Sequence, residues 1–95
     1  MIMHMDTSET LAFIRNPYMV FDPATGEPQL RFHMEVNPHL RRQAVLRGDQ
    51  ITDIIKTAWV RQAEELEGYL CWVSRQGNDL IYLRFAQRVG DPHDY

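Results

Sequence analysis

A Gly77-Asn78 pair between two β-rich runs constrains the fold of this 95-residue chain more than any other feature. The flanking runs are residues 69–74 and 80–87, and such a pair is typical of a two-residue β-hairpin turn. Because side chains alternate between the two faces of a strand, a turn of this length fixes the pairing of both strands. The sequence therefore predicts a hairpin whose register is set from its turn outwards.

This register gives the hairpin two faces of different composition. Bulky apolar side chains predict that one face packs on the core, and it carries Leu70, Trp72, Leu83 and Phe85. The opposite face is apolar as well, whereas a strand surface that meets water is expected to be polar. Tyrosine and arginine around small apolar residues are typical of protein contact surfaces. The predicted interaction surface consists of Tyr69, Cys71, Val73, Arg75, Leu80, Tyr82 and Arg84.

A second hairpin is predicted nearer the start of the chain. Residues 18–21 read as a strand, and 22–28 form a turn rich in proline and glycine. Residues 30–36 then alternate between apolar and polar side chains, which indicates a half-buried strand. Its outward side chains are Arg31, His33 and Glu35.

Three helices complete the predicted secondary structure. Residues 7–15 follow a capping pattern and precede Pro17, so they favour a short N-terminal helix. Asn37-Pro38 and Gly48 bracket a short basic helix at 38–46. Apolar residues at helical spacing predict a main amphipathic helix at 50–66. An N-terminal helix resting on the second hairpin, through Leu11 and Ile14, is the alternative to a partner on that surface.

These elements predict a single α+β domain over residues 1–95, with flexible tails at 1–5 and 90–95. The order is helix, hairpin, two helices, hairpin. Both hairpins are expected to join one antiparallel sheet that packs on the main helix.

The bulk composition excludes several classes of protein. The formal net charge is −3, which argues against a chain dominated by attraction to nucleic acid or membrane. No apolar run is long enough to span a bilayer, and the first residues lack the features of a signal peptide. We therefore expect a cytoplasmic protein with no membrane partner.

No pattern of catalytic, cofactor-binding or metal-ligating residues is present. His33 and Glu35 lie two apart on a strand, but a zinc site needs further convergent ligands. The only cysteine, Cys71, lies in mid-strand, where a buried structural thiol is the expected role. We predict no catalytic residue, no cofactor and no metal.

The segment 30–66 is similar to the ribbon-helix-helix DNA-binding family: a strand, Asn37-Pro38, a basic helix, Gly48 and an amphipathic helix. In that family the strand lies in the major groove. The resemblance implies a nucleic-acid-binding regulator that uses the basic 38–47 segment. The implied contacts are Arg31, Arg41, Arg42 and Arg47.

The leading hypothesis is a small non-enzymatic protein-interaction module. It predicts a homodimer that acts as an adaptor, inhibitor or regulatory accessory of a bacterial or phage system. Nucleic-acid binding is the alternative.

Overall fold

The computed structural model of the chain describes residues 8–88, which contain five β-strands, one α-helix and one 3-10 turn. The strands are β1 (Ser8–Phe21), β2 (Pro28–Asn37), β3 (Leu40–Arg47), β4 (Leu70–Gln76) and β5 (Asp79–Gln87). The helix α1 (Asp49–Ala58) and the 3-10 turn (Ala63–Leu66) lie between β3 and β4. The predicted tails, 1–5 and 90–95, lie outside the described residues.

All five strands form one antiparallel sheet in the order β3-β2-β1-β4-β5. The first four strands therefore have a Greek-key arrangement. The sheet curls so that its edge strands β3 and β5 approach each other, and α1 contacts both. Within residues 8–88 no backbone ladder joins the two edges.

The predicted α+β fold class is wrong, because a strand replaces each of the two short helices. Residues 8–15 of the predicted N-terminal helix belong to β1. Ala12 and Ile14 are fully buried, whereas Leu11 and Phe13 point to the opposite side and are about two-fifths exposed. Since both faces are apolar, the run 11–14 shows no alternation in the sequence. Pro17 does not end the element but lies in a β-bulge, where a strand tolerates proline.

The predicted basic helix at 38–46 is also wrong, because residues 40–47 form β3. Asn37 does not cap a helix. Its side-chain oxygen accepts a hydrogen bond from the backbone N–H of His39 at 2.8 Å, which forms a tight turn between β2 and β3. In β3, Ala44 and Leu46 face the core. This strand pairs with β2 alone and therefore forms one edge of the sheet.

The main helix is present but shorter than predicted. It spans Asp49–Ala58 rather than 50–66, and Ile54 and Ala58 bury its apolar side. It ends at Trp59, which has a left-handed φ of 60° and is 82% exposed instead of being part of the core. Gly48 has a φ of 53° and starts this helix instead of ending one before it. The sheet therefore packs on a short helix and a 3-10 turn, not on a main helix.

Both predicted hairpins are confirmed by strand pairing. In the first, Met19 pairs with Leu30, and the Asp22 side chain accepts a hydrogen bond from the N–H of Ala24 at 2.9 Å in the turn. In the second, Gly77 takes a φ of 64° and the first pairs follow the predicted register as far as Val73 with Tyr82. Beyond that pair, β-bulges shift the register.

The core lies on one side of the sheet, which we call the inner face. Side chains from all five strands meet α1 and the 3-10 turn there in a single cluster. Its fully or almost fully buried members include Ala12, Ile14, Leu30, Phe32, Met34, Leu46, Ile54, Ala58, Leu66, Cys71 and Val73. The opposite side is the outer face, and within residues 8–88 no helix covers it.

Candidate interaction surface

The structure places much of the predicted interaction surface in the core. Cys71 and Val73 are fully buried and Leu80 is almost so. Tyr82 is half-buried, and its ring packs edge-on against Phe32 with 5.7 Å between the ring centroids. The faces of the second hairpin near its turn are therefore the reverse of those predicted. Phe85, which was predicted to face the core, does pack against it, because the bulge in β5 brings it opposite Cys71.

The remaining three predicted contact residues are more exposed than Cys71, Val73 and Leu80. Tyr69 is half-buried against the core cluster, whereas Arg75 and Arg84 are exposed. The chain itself covers this face, as in the alternative considered from the sequence, but it does so with α1 and the 3-10 turn. Leu11, expected to cover it from an N-terminal helix, faces away from it.

The outer face of β1, β4 and β5 carries exposed apolar side chains where polar ones are expected. We call this group the outer apolar patch, and it consists of the exposed Leu11, Phe13, Ile81 and Leu83 together with the half-buried Leu70 and Trp72. Pairing brings Leu11 beside Trp72 and Phe13 beside Leu70. Ile81 is 47% exposed and Leu83, the extra residue of a bulge, is 37% exposed. Contiguous exposed apolar surface marks interaction sites in folded proteins.

Two arginines flank the outer apolar patch, and each is held in place by a carboxylate. Arg84 donates to Glu9 at 2.8 Å, and its guanidinium lies 5.6 Å from the centroid of the Trp72 ring. Arg15 donates to Glu35 at 2.8 Å and lies 4.8 Å from the centroid of the Phe13 ring. Aromatic and arginine side chains beside aliphatic ones are enriched at protein interfaces.

Arg15 also joins the outer face to the segment that follows the 3-10 turn. Its Nη1 lies 3.4 Å from Glu67 Oε2, and Glu67 Oε1 accepts a hydrogen bond from the N–H of Asn16 at 2.7 Å. Asn16 has a left-handed φ of 55° at the β1 bulge. Glu67 therefore stabilises the bulge that orients Arg15.

We expect Glu67→Ala to lower the free energy of unfolding by about 1 kcal/mol, since it removes one charge-assisted hydrogen bond and one exposed ion pair. Urea unfolding followed by circular dichroism measures this change. Glu64→Ala is the matched control, because Glu64 is exposed and makes no side-chain hydrogen bond within the described residues. Equal effects of the two substitutions would contradict the role of Glu67.

A basic strip lies on the outer face of β2 and β3, beside the outer apolar patch. Arg31 on β2 pairs with Val45, and Arg41 and Arg47 lie on the same side of β3. Arg31 donates to Gln29 Oε1 at 2.8 and 3.1 Å. These three arginines, which we call the basic strip, are implied as nucleic-acid contacts by the sequence. The structure places them on one side of the sheet, with Arg41 and Arg47 roughly 20 Å apart along β3.

The other nucleic-acid features of the sequence are not brought together. Arg42 pairs with Met34 on the inner-face side, and its Nη1 donates to the backbone carbonyl of Arg41 at 2.7 Å. The resemblance to ribbon-helix-helix proteins requires a helix after Asn37-Pro38, and the chain has β3 there.

Groups that could carry chemistry are dispersed. Burial raises the pKa of Cys71 from 9.0 to about 12, so this thiol remains protonated near neutral pH. His33 Nδ1 is buried and has no hydrogen-bond partner among the described residues, and Glu35 is bound by Arg15. Among residues 8–88 no group of three or more histidine, cysteine, aspartate or glutamate side chains could hold a metal ion. No helix in this range is long and apolar enough to cross a membrane.

A cavity of about 260 Å³ lies where β3 and β5 approach each other. Its lining is mixed and includes Ala44, Leu46, Leu80 and Tyr82 together with the polar Gln43 and Gln50. This volume is below the roughly 300–1,000 Å³ of small-molecule pockets. The outer apolar patch and the basic strip are therefore the stronger candidate for a functional surface.

Comparison with known proteins gives no relative from which a role could be transferred. No protein-family model matches the sequence, and neither a curated protein nor a solved structure matches it. The outer face is therefore the feature from which a function can be inferred.

Proposed function

We propose that this protein is a non-enzymatic protein-interaction module that binds its partner through the outer face of its sheet. One observation carries the proposal: the outer apolar patch is exposed on a sheet face that no helix covers within residues 8–88. Removing apolar surface from water is the main favourable contribution to most protein–protein association. The partner is another protein or a second copy of the chain.

The arrangement of polar groups supports this proposal. Arg15 and Arg84 are held by carboxylates at the rim of the patch, which is the usual place of polar groups in a protein interface. The single thiol is buried and protonated, which leaves it unsuited to nucleophilic catalysis.

Site-specific photocrosslinking in the source cell tests the proposal. With p-benzoylphenylalanine in place of Leu11 or Leu83, we expect discrete protein adducts after irradiation, because both side chains would lie inside the interface. Phe21 is the control position, since it is a 67% exposed side chain at the far end of β1. An adduct of twice the chain mass would identify a homodimer. Equal labelling from all three positions, or none from Leu11 and Leu83, would contradict the proposal.

Nucleic-acid binding is the second candidate function, because the basic strip is exposed on the same face. Arg31, Arg41 and Arg47 form no ion pair with a carboxylate within the described residues. Phosphate contacts by these arginines would make binding strongly dependent on salt concentration. A gel shift with single-stranded DNA at low salt tests this candidate, and absence of any retardation would remove it.

A further inference from the structure

The arginines of the outer face fall into two groups that differ in their partners. The two beside the outer apolar patch, Arg15 and Arg84, are each bound to a glutamate at 2.8 Å. The three of the basic strip have no carboxylate partner within residues 8–88. Glu35, which pairs across the strands with Arg41, is bound by Arg15. The charge of the basic strip is therefore left for another molecule to compensate.

The basic strip and the outer apolar patch lie on one continuous sheet. β1 separates β2 from β4, and neighbouring strands are about 4.8 Å apart. Arg41 on β3 pairs with Glu35, and Glu35 pairs with Phe13, so Arg41 lies two strand spacings, roughly 10 Å, from a member of the outer apolar patch. Arg31 pairs with Tyr18, which lies further along β1 from the patch. A single extended segment of a partner that crosses the strands is long enough to contact both the patch and Arg41.

We propose that the outer face binds an acidic, apolar polypeptide segment, whose apolar side chains cover the outer apolar patch and whose carboxylates bind the basic strip. This inference rests on the proposed function and specifies the chemistry of the partner. Arginine binds carboxylates through paired N–H groups. Complementary charge beside an apolar contact increases both the association rate and the specificity.

A second copy of the chain fits the basic strip less well than such a segment. On the outer face, Glu9 and Glu35 are each already bound by an arginine of that face, whereas Asp79, two residues before Ile81 on β5, forms no ion pair within the described residues. Face-to-face packing of two copies would therefore bring fewer free carboxylates to the three arginines of the basic strip than an acidic segment does. The charge of this surface favours a partner with its own excess of acidic residues.

Single-stranded nucleic acid also fits the outer face less well. Sequence-tolerant binding of single strands depends on bases that stack on aromatic ring faces. At the outer apolar patch, Arg15 lies over the Phe13 ring and Arg84 over the Trp72 ring. On the ring faces that these arginines cover, a base could stack only after the arginine had been displaced from its ion pair.

Fluorescence anisotropy with the full-length chain tests this inference. The probes are three labelled peptides with the same apolar centre, flanked by glutamates, by serines or by lysines, together with a labelled oligothymidylate. We expect the glutamate peptide to bind at least about tenfold more tightly than the serine peptide, a difference of about 1.4 kcal/mol. The advantage should decrease as salt is added, because salt screens exposed charges.

Two double variants with the same change in charge complete the test. Arg31→Glu/Arg41→Glu should abolish the preference for the glutamate peptide and create one for the lysine peptide. Arg61→Glu/Arg75→Glu changes two exposed arginines outside the basic strip and should leave the preference unchanged. Circular dichroism confirms that each variant is folded.

Four outcomes would overturn the inference. Binding that is independent of the flanking charge, or no binding of the glutamate peptide, would show that the basic strip does not select an acidic partner. Tighter binding of the oligothymidylate, lost in Arg31→Glu/Arg41→Glu, would assign the surface to nucleic acid. Self-association that excludes the peptides would assign it to a second copy. Crosslinking from Leu11 and Leu83 is a separate readout, so the proposed function can hold where this inference fails.

Discussion

Val73→Glu is expected to unfold the protein, whereas Leu83→Glu is expected to leave it folded. Val73 is fully buried on the inner face, and Leu83 is 37% exposed on the other side of the same hairpin. An unpaired buried carboxylate costs several kcal/mol. Domains of this size have a total stability of roughly 5–15 kcal/mol, so this cost is a large part of it. Circular dichroism and urea unfolding of both variants measure the difference.

The two substitutions are matched because each introduces the same side chain into the same hairpin. For Leu83→Glu we expect a change in unfolding free energy within about 1 kcal/mol, as for most exposed sites. A folded Val73→Glu protein, or a Leu83→Glu protein that is the less stable of the two, would contradict the assignment of the faces. It would also remove the outer apolar patch as a binding surface.

The faces of this hairpin show what a turn does and does not determine. Gly77-Asn78 correctly predicts the first residue pairs of the hairpin. The turn does not determine which face of the hairpin packs on the core. The size of the side chains does not predict it either, because the large Trp72 faces outward whereas the small Cys71 is in the core. A bulge then pairs Trp72 with Arg84 instead of Leu83. Bulges depend on contacts elsewhere in the sheet, so the sequence of the hairpin alone does not predict this one.

The N-terminal half of β1 was mistaken for a helix for a different reason. It is the central strand of the sheet, with β2 on one side and β4 on the other. Its inner face contributes Ala12 and Ile14 to the core, and its outer face contributes Leu11 and Phe13 to the patch. A segment that is apolar on both sides has no period of two. Its strand conformation depends on pairing with β4, which is distant in the chain.

The candidate site follows from the same long-range pairing. Leu11 lies beside Trp72 only because β1 pairs with β4, so neither hairpin reveals the patch when it is considered alone. The sequence did predict the outward direction of Arg31, since residues 30–36 alternate clearly. It also identified Arg41 and Arg47 as candidate contacts, although in a helix. A signal for β1 was available in the unbroken apolar run 11–14, which is typical of strands buried on both faces.

Raising the pH above 9 is expected to destabilise the protein steeply, because two acidic groups lie on the inner face, the thiol of the buried Cys71 and the phenol of the half-buried Tyr82. Burial raises the pKa of Cys71 from 9.0 to about 12. It also raises the pKa of Tyr82 above its ordinary 10.0, with further contributions from Cys71 and Asp53. Between the unfolded and folded pKa values, the unfolded chain has lost a proton that the folded chain retains. The folded state then binds more protons, so stability decreases with rising pH.

For Cys71 this loss begins near pH 9 and ends near pH 12, at a slope of about 1.4 kcal/mol per pH unit. Urea unfolding across this range measures the slope in the wild type and in Cys71→Ala. The variant has no thiol to ionise, so its slope should be shallower by up to that amount, while the contribution of Tyr82 remains. A loss of packing would lower the stability of Cys71→Ala equally at every pH, which separates it from the effect of ionisation. Identical slopes would show that the Cys71 thiol ionises as readily in the folded chain as in the unfolded one, and would contradict the burial of this face.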